Sequence, residues 1–197
     1  MAVRVAVLVS GSGTILASML RADVPVALVA SDRPCEALRV AAASHVPTSL
    51  LDRRSFGGFT PSFDRLAYTR VLTDVLTDAS IDVVAMAGFG TVLDQPVHDA
   101  FAGRIVNTHP ALLPAFPGWH AVEAALEAGA KVTGCTVHLA TLEMDAGPIL
   151  AQEAVAVQEG DTVESLHERI KEVERRLYPA TLLQVLGRLE ARAGMGQ

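Results

Sequence analysis

Four short apolar runs divide the first part of the chain, at residues 3–9, 24–30, 82–87 and 104–107. Each run is rich in Val, Ala and Ile and lacks clean alternation, which is typical of strands covered on both faces. Helical spacing falls between the runs, at about residues 14–22, 34–44 and 61–78. Strand and helix in repeated alternation predict an α/β fold with a doubly wound, mostly parallel sheet.

The pattern changes after residue 118. A helix is predicted near 119–129, and it is followed by two strands, at 131–140 and 149–157. A Met-Asp-Ala-Gly-Pro turn at 144–148 separates these strands, so we expect a β-hairpin appended to the parallel sheet.

The last predicted helix has apolar residues spaced by three and four. Asp161 with Glu164 matches a capping box at its start, and Pro179 is expected to kink or end it. Residues 51–60, with two arginines and two glycines, are expected to form a mobile surface loop.

Composition and charge narrow the classes of function. A chain of 197 residues that is 50% apolar and 19% charged is typical of one globular domain. The net charge of −6 argues against nucleic-acid binding, which rests on clustered Lys and Arg, but it leaves room for a small anionic ligand.

Membrane insertion and secretion are not expected. No window reaches the ~18 apolar residues that a membrane span needs. Arg4 lies inside the first apolar run, which therefore fits a buried strand better than a signal peptide. The two cysteines, Cys35 and Cys135, are too few for a disulfide framework or a zinc site, so we expect a cytoplasmic protein.

A glycine turn, Ser10-Gly11-Ser12-Gly13-Thr14, follows the first strand and opens the first helix. Glycine allows close backbone approach, and a helix N-terminus offers unpaired N–H groups, so a phosphate would bind well here. A dinucleotide fingerprint would require glycine where the chain has Leu16, and an acid near Asp32. Two alternatives stay open: a tight turn without a ligand, and Asp32 as the start of a turn.

An Asn-Thr-His-Pro segment follows the fourth run, at the edge where ligands bind in open α/β sheets. Asn107 and His109 are two residues apart, so both side chains point to one side of an extended segment, which Pro110 favours. An amide and an imidazole held together suit acyl transfer, where one group stabilises an oxyanion and the other moves a proton. The alternative is a histidine that only caps a loop.

Asp145 lies in the predicted hairpin turn, where aspartate is common for conformational reasons alone. If the fold brings it beside His109, its carboxylate would stabilise the protonated imidazole. Spacing along the sequence cannot show that proximity. The histidines have no metal-ligand spacing with one another or with cysteine, and no metal is expected.

With these segments placed, the chain resembles the phosphoribosylglycinamide formyltransferase family along nearly its whole length. The resemblance is carried by residues 7–13, 87–89, 102–114, 116–118, 133–138, 145–148 and 178–179. It implies one domain over 1–197, with a nucleotide-binding half at 1–110 and a folate and catalytic half at 111–197. It also implies formyl transfer from 10-formyltetrahydrofolate, as co-substrate, to the amine of glycinamide ribonucleotide in purine biosynthesis.

The same resemblance assigns site residues. The catalytic set it implies is Asn107, His109 and Asp145. The ribonucleotide site it implies comprises Gly11, Ser12, Gly13, Thr14 and Glu174. The folate site it implies comprises Arg65, Gly88, Phe89, Gly90, Thr91, Val92, Leu93, Asn107, Ala140, Thr141, Leu142, Glu143 and Met144. The expected partners are therefore small molecules, and the choice between a monomer and a homodimer stays open.

The chain departs from the family at three points. Gly90-Thr91 stands where relatives often carry a bulky and a basic residue, Ile15 where they carry a polar amide, and Arg175 where they carry a histidine. The first departure bears on side-chain contacts to the folate, although contacts through the backbone would survive it. The second weakens phosphate contacts beyond the backbone amides.

Three other functions compete with this interpretation. Methionyl-tRNA formyltransferases would need a further C-terminal domain and a basic surface, and formyltetrahydrofolate hydrolases an extra N-terminal domain. A non-catalytic nucleotide-binding module could use the glycine turn, but it would have no need of Asn107, His109 and Asp145 together.

Overall fold

The computed structural model describes residues 3–195. Its strands are β1 (Val5–Val9), β2 (Val26–Ser31), β3 (Thr48–Leu50), β4 (Val83–Ala87), β5 (Ile105–His109), β6 (Val132–Leu139) and β7 (Ile149–Ala156). Its α-helices are α1 (Thr14–Arg21), α2 (Glu36–Ala43), α3 (Arg65–Asp78), α4 (Gln95–Ala100), α5 (Ala121–Glu127) and α6 (Val163–Met195).

All seven strands form one sheet, in the order β3-β2-β1-β4-β5-β6-β7. The first five strands along the chain pair in parallel, whereas β6 is antiparallel to both β5 and β7. The predicted α/β fold with an appended hairpin is therefore confirmed. The strand order reverses between β1 and β4, and such a switch point opens a crevice outside the carboxyl ends of the strands.

Two apolar cores cover the two faces of the sheet. Val5, Val7 and Val9 of β1 pack on the side of α1, α2 and α6, while Ala6 and Leu8 pack on the side of α3 and α4. Because both faces are buried, the strands are continuous apolar runs, as the sequence pattern indicates.

Helix α6 continues through Pro179 to Met195, so of the two outcomes expected at Pro179, a kink or an end, the end is wrong. Proline removes one backbone N–H group, but Leu182 and Leu186 beyond it are buried in the core with α1 and α2. This tertiary packing offsets the lost hydrogen bond.

The predicted capping box also lies one residue away from its expected place. Thr162 and Ser165 form it: the Ser165 N–H donates to the Thr162 hydroxyl, and the Thr162 N–H donates to the Ser165 hydroxyl. Asp161 instead binds the guanidinium of Arg169. Asp161 and Thr162 are adjacent and can both cap a helix, which explains why the predicted capping box was one residue out of register.

Two short elements were missing from the sequence prediction, β3 and α4, which have three and six residues. Segment 51–60 contains a 3-10 turn at Arg53–Phe56, which Asp52 caps by accepting from the Arg54 N–H group. Among the described residues, no helix combines the length and apolar character that crossing a membrane requires.

Gly134 tests how tightly the sheet is packed at strand β6. A Cβ atom on Gly134 of β6 would lie 2.1 Å from the carbonyl oxygen of Glu153 and 2.7 Å from the side chain of Leu112. We therefore expect Gly134→Ala to lower the free energy of unfolding by roughly 1–3 kcal/mol in denaturant titrations.

Gly187→Ala is the matched control in helix α6, where a Cβ atom would meet nothing within 4 Å. It should raise the free energy of unfolding by roughly 0.5–1 kcal/mol, because alanine loses less backbone entropy in a helix. Equal effects of the two substitutions would contradict the close contact between β6 and β7.

Candidate active site

A cavity of about 450 Å³ opens at the switch point of the sheet. Nearly all the residues that the sequence nominated lie along its wall, although they come from distant segments. They are Gly11, Ser12, Gly13, Thr14, Gly88, Phe89, Gly90, Thr91, Val92, Leu93, Asn107, His109, Ala140, Thr141, Leu142, Met144, Asp145 and Glu174.

Two nominated residues lie elsewhere. Arg65 lines an adjoining recess, where its guanidinium pairs with Asp94 at 3.1 Å. Glu143 lines neither cavity, and its carbonyl oxygen accepts a hydrogen bond from the Thr141 hydroxyl at 2.9 Å.

The glycine turn forms one end of the cavity. Gly13 has a φ angle of 77° and is the N-cap residue, directly before α1. A Cβ atom there would also lie 2.8 Å from the Cα atom of Ala37, so both conformation and space require glycine. The turn thus brings the N-terminus of α1 to the cavity wall, where a helix offers unpaired N–H groups.

Asn107 and His109 lie on the same face of β5, as predicted for an extended segment. Antiparallel pairing sets Asn107 opposite His138 and His109 opposite Thr136. The His138 Nδ1–H group donates to the Leu139 carbonyl at 3.0 Å, which leaves Nε2 to accept from the Asn107 amide at 3.3 Å. Burial lowers the pKa of His138, so the neutral ring that this pattern needs is favoured.

Asp145 lies against His109. Its Oδ2 atom is 3.3 Å from His109 Nδ1 and accepts from the Gly118 N–H group at 2.8 Å, while its Oδ1 atom is 3.6 Å from His138 Nε2. The carboxylate therefore lies between two buried imidazoles. The fold supplies the proximity to His109 that the spacing in the sequence could not show.

Both ring nitrogens of His109 face acceptors. Nε2 is 2.7 Å from the carbonyl oxygen of Phe116, and Nδ1 faces Asp145. His109 therefore lies between a carboxylate and a carbonyl oxygen, both of which are hydrogen-bond acceptors.

Helix α6 forms another wall of the cavity. Burial raises the pKa of Glu174 to about 7, and a hydrogen bond from the Thr108 hydroxyl opposes that shift. Lys171 and His167 line the cavity from the same face of the helix, one and two turns before Glu174, respectively. Lys171 places a positive charge beside this carboxyl group.

Several residues that line the cavity were not predicted from the sequence. His138 and Lys171 show most clearly why. His138 is the last of six consecutive buried residues of β6, 133–138, a position that is typical of the core. Lys171 follows an apolar residue within a charged helix and has no sequence signal of its own. Within residues 3–195, no group of three His, Cys, Asp or Glu side chains is placed to hold a metal ion.

Comparison with known proteins agrees with the motifs. Residues 3–182 match the family described as formyl transferase. Phosphoribosylglycinamide formyltransferase of Mycobacterium tuberculosis (strain H37Rv; ATCC 25618) is 46% identical over 184 residues, which cover 91% of this chain and 83% of the relative. The trifunctional purine biosynthetic protein adenosine-3 of Gallus gallus is 41% identical over 187 residues, and the match covers 91% of this chain but only 18% of that much longer protein.

Solved structures give the same result. Glycinamide ribonucleotide transformylase 1 from Symbiobacterium toebii superposes with a TM-score of 0.85 at 42% identity, over 91% of this chain and 85% of that one. Fold, motifs and identity agree over most of the chain, and the resemblance stated from the sequence is confirmed. The chain therefore belongs to the formyl transferase family, among the phosphoribosylglycinamide formyltransferases, which are folate-dependent enzymes of purine biosynthesis.

Proposed function

We propose that this chain transfers the formyl group of 10-formyltetrahydrofolate to the amine of glycinamide ribonucleotide, in the cytoplasm, with Asn107, His109 and Asp145 as its catalytic residues. The observation that carries the proposal is the 3.3 Å contact between His109 and Asp145, in the same cavity as Asn107. Membership of the family supports the reaction, and this contact supports the assignment of the catalytic residues.

The ribonucleotide occupies the end of the cavity between the glycine turn and α6. Gly11, Ser12, Gly13 and Thr14 offer backbone N–H groups to the phosphate. Glu174 accepts hydrogen bonds from the ribose hydroxyls. Lys171 adds a positive charge on the same wall and offsets the absence of a polar side chain at Ile15.

The folate occupies the end formed by segments 88–93 and 140–144. In the described part of the chain, no backbone hydrogen bond uses the N–H or carbonyl group of Val92 or Leu93. These groups can therefore bind the donors and acceptors of the pterin ring. Arg65, in the adjoining recess, is placed to meet an anionic end of the co-substrate.

The reaction begins when the substrate amine attacks the formyl carbon and a C–N bond forms. The carbonyl oxygen becomes an oxyanion, which the Asn107 amide and the protonated His109 ring stabilise. One Asn107 N–H is held by His138, so the other is free to reach the oxyanion. The bond from carbon to folate N10 then breaks, and the proton lost by the amine reaches N10 through Asp145 and water.

His109 must exchange one partner for this step. Its Nε2–H group donates to the Phe116 carbonyl at 2.7 Å, so the formyl oxygen has to take the place of that carbonyl. The contact of Nδ1 with Asp145 can persist throughout, because it lies on the opposite side of the ring. The ring thus stays oriented while it changes its acceptor.

The 1–110 and 111–197 halves both contribute to each ligand site in this proposal. Glu174 and Lys171 join the glycine turn from the second half, and segment 88–93 joins residues 140–144 from the first half. The two halves therefore belong to one formyltransferase domain in this proposal. No metal enters the mechanism.

The catalytic set is tested by Asn107→Ala, His109→Ala and Asp145→Asn. Each substitution should lower kcat by two orders of magnitude or more. Asn107→Ala and His109→Ala each remove one oxyanion donor, which costs roughly 2.7–4 kcal/mol of barrier, and Asp145→Asn removes the proton relay. The melting temperature, measured in parallel, should show that the fold is retained.

His45→Asn is the control, because His45 is an exposed histidine with a φ angle of 56° that asparagine also tolerates. It should leave kcat unchanged. Near-normal turnover in His109→Ala would overturn the assignment of the catalytic set.

The transfer itself is tested by following folate deformylation by absorbance, with and without glycinamide ribonucleotide. Release that depends on the ribonucleotide is expected from a transferase that has an amine acceptor. Release without it would identify a hydrolase, and no release in either case would leave a non-catalytic binding module.

The role of Glu174 predicts a pH dependence. Its carboxyl group is neutral below pH 7 and charged above it, because its pKa is about 7. A charged acceptor binds hydroxyl groups more tightly, by about 1 kcal/mol, than a neutral one. Calorimetric titration should therefore show affinity for glycinamide ribonucleotide that rises about fivefold more between pH 6 and 8 than it does in Glu174→Gln.

The ligand phosphate and amine titrate equally in both proteins, so the comparison isolates Glu174. Glu172→Gln, at an exposed position of the same helix, should retain the pH dependence of the unchanged protein. Identical pH profiles for Glu174→Gln and the unchanged protein would exclude the ribose contact.

A further inference from the structure

Gly90 and Thr91 are held by polar groups from three other segments. The Gly90 N–H group donates to the Ser10 hydroxyl at 2.6 Å, and its carbonyl accepts from Arg53 Nη1 at 3.3 Å. Both backbone groups of Gly90 are thus bonded to protein at the point where the segment borders the cavity.

The Thr91 hydroxyl uses its donor and its acceptor capacity together. It donates to Asp32 Oδ2 at 2.8 Å and accepts from Arg53 Nη1 at 3.1 Å. Asp32 and Thr91 have exposed fractions of only 0% and 1%, so neither polar group has water as an alternative partner. Burying a polar group without a hydrogen-bond partner destabilises the folded state, so other arrangements of these side chains are disfavoured.

Arg53 is itself fixed in place. Its guanidinium carbon lies 4.4 Å from the ring centroid of Phe59 and 3.8 Å from that of Phe63, and its Nε–H donates to the Gly58 carbonyl at 2.7 Å. Segment 51–60 therefore acts as a support for segment 88–93. The sequence had indicated only a surface loop there.

Space at Gly90 is part of the same arrangement. A Cβ atom on Gly90 would lie 2.6 Å from Arg33 Nη2, and Arg33 is paired through its guanidinium with Asp32. Glycine at position 90 therefore leaves room for the arginine that holds Asp32, and Asp32 in turn holds Thr91. The arrangements at positions 32, 90 and 91 therefore depend on one another.

On the basis of the proposed function, we infer that Asp32, Arg53 and Thr91, the Arg53 cluster, are positioning residues for the folate. They fix the backbone of segment 88–93 so that Val92 and Leu93 present their free backbone groups to the cavity. None of the three forms a described hydrogen bond with Asn107, His109 or Asp145. Loss of the cluster should therefore weaken folate binding and spare the chemical step.

Binding of tetrahydrofolate, followed by the fluorescence of Trp119, tests this inference without turnover. Trp119 is the only tryptophan and lines the cavity. Thr91→Val removes the hydroxyl at nearly constant volume, and Arg53→Met keeps an apolar stem between the two phenylalanines. Each should raise Kd for tetrahydrofolate about tenfold, which corresponds to about 1.4 kcal/mol.

The kinetic constants should change selectively, which a general loss of protein stability would not produce. The KM for 10-formyltetrahydrofolate should rise with Kd, while kcat and the KM for glycinamide ribonucleotide stay within about twofold. Thr91→Ser should restore the original Kd because it keeps the hydroxyl. The double variant should be little worse than either single one, since both remove the same link between Asp32 and Arg53.

Arg54→Met is the matched control, because Arg54 is on the same 3-10 turn but, within residues 3–195, its guanidinium pairs with Asp52 instead of with segment 88–93. Its Kd should equal that of the unchanged protein. Unchanged Kd in Arg53→Met and Thr91→Val would overturn the inference, as would a parallel loss of kcat, and Arg53→Met decides if Thr91→Val does not fold. Absence of tetrahydrofolate binding by the unchanged protein would instead contradict the proposed function.

Discussion

Residues 140–148 join two antiparallel strands, yet they fold back over the face of β5 that carries Asn107 and His109, and the geometry of the cavity depends on that path. It places the Asp145 carboxylate between the rings of His109 and His138, where the Gly118 N–H group also reaches it. The antiparallel pairing of β6 with β5 then sets His138 opposite Asn107 and orients the amide. One connection thus determines the surroundings of all three proposed catalytic residues.

The sequence predicted what depends on local pattern. The parallel strands, the glycine turn and the common face of Asn107 and His109 follow from periodicity and from the extended segment before Pro110. The proximity of Asp145 to His109 could not be predicted from spacing, because it depends on a sheet pairing between distant segments. Pro179 was misjudged for a related reason: local propensity disfavours the helix there, and burial of Leu182 and Leu186 outweighs it.

Asp32 lies in the bend that follows β2, as the turn interpretation predicts. Local pattern did not indicate that its carboxylate would be buried against Arg33 and Thr91. Hydrogen bonds and the guanidinium charge hold its pKa below the ordinary value despite the opposing effect of burial. A buried carboxylate that keeps its charge needs fixed donors, and one of the donors here, Thr91, belongs to the segment that borders the proposed folate end of the cavity.

The two groups that contact the nitrogens of His109 come from residues with strained backbones. Phe116 has a φ angle of 53° and Asp145 one of 56°, a region that costs a residue with a side chain of order 1–3 kcal/mol. Such strain persists only where the surroundings enforce it, and here the Gly118 N–H bond to Asp145 ties the two segments together. In the proposed mechanism the formyl oxygen takes the place of the Phe116 carbonyl, while Asp145, which also accepts from the Gly118 N–H group, stays beside Nδ1 of the ring.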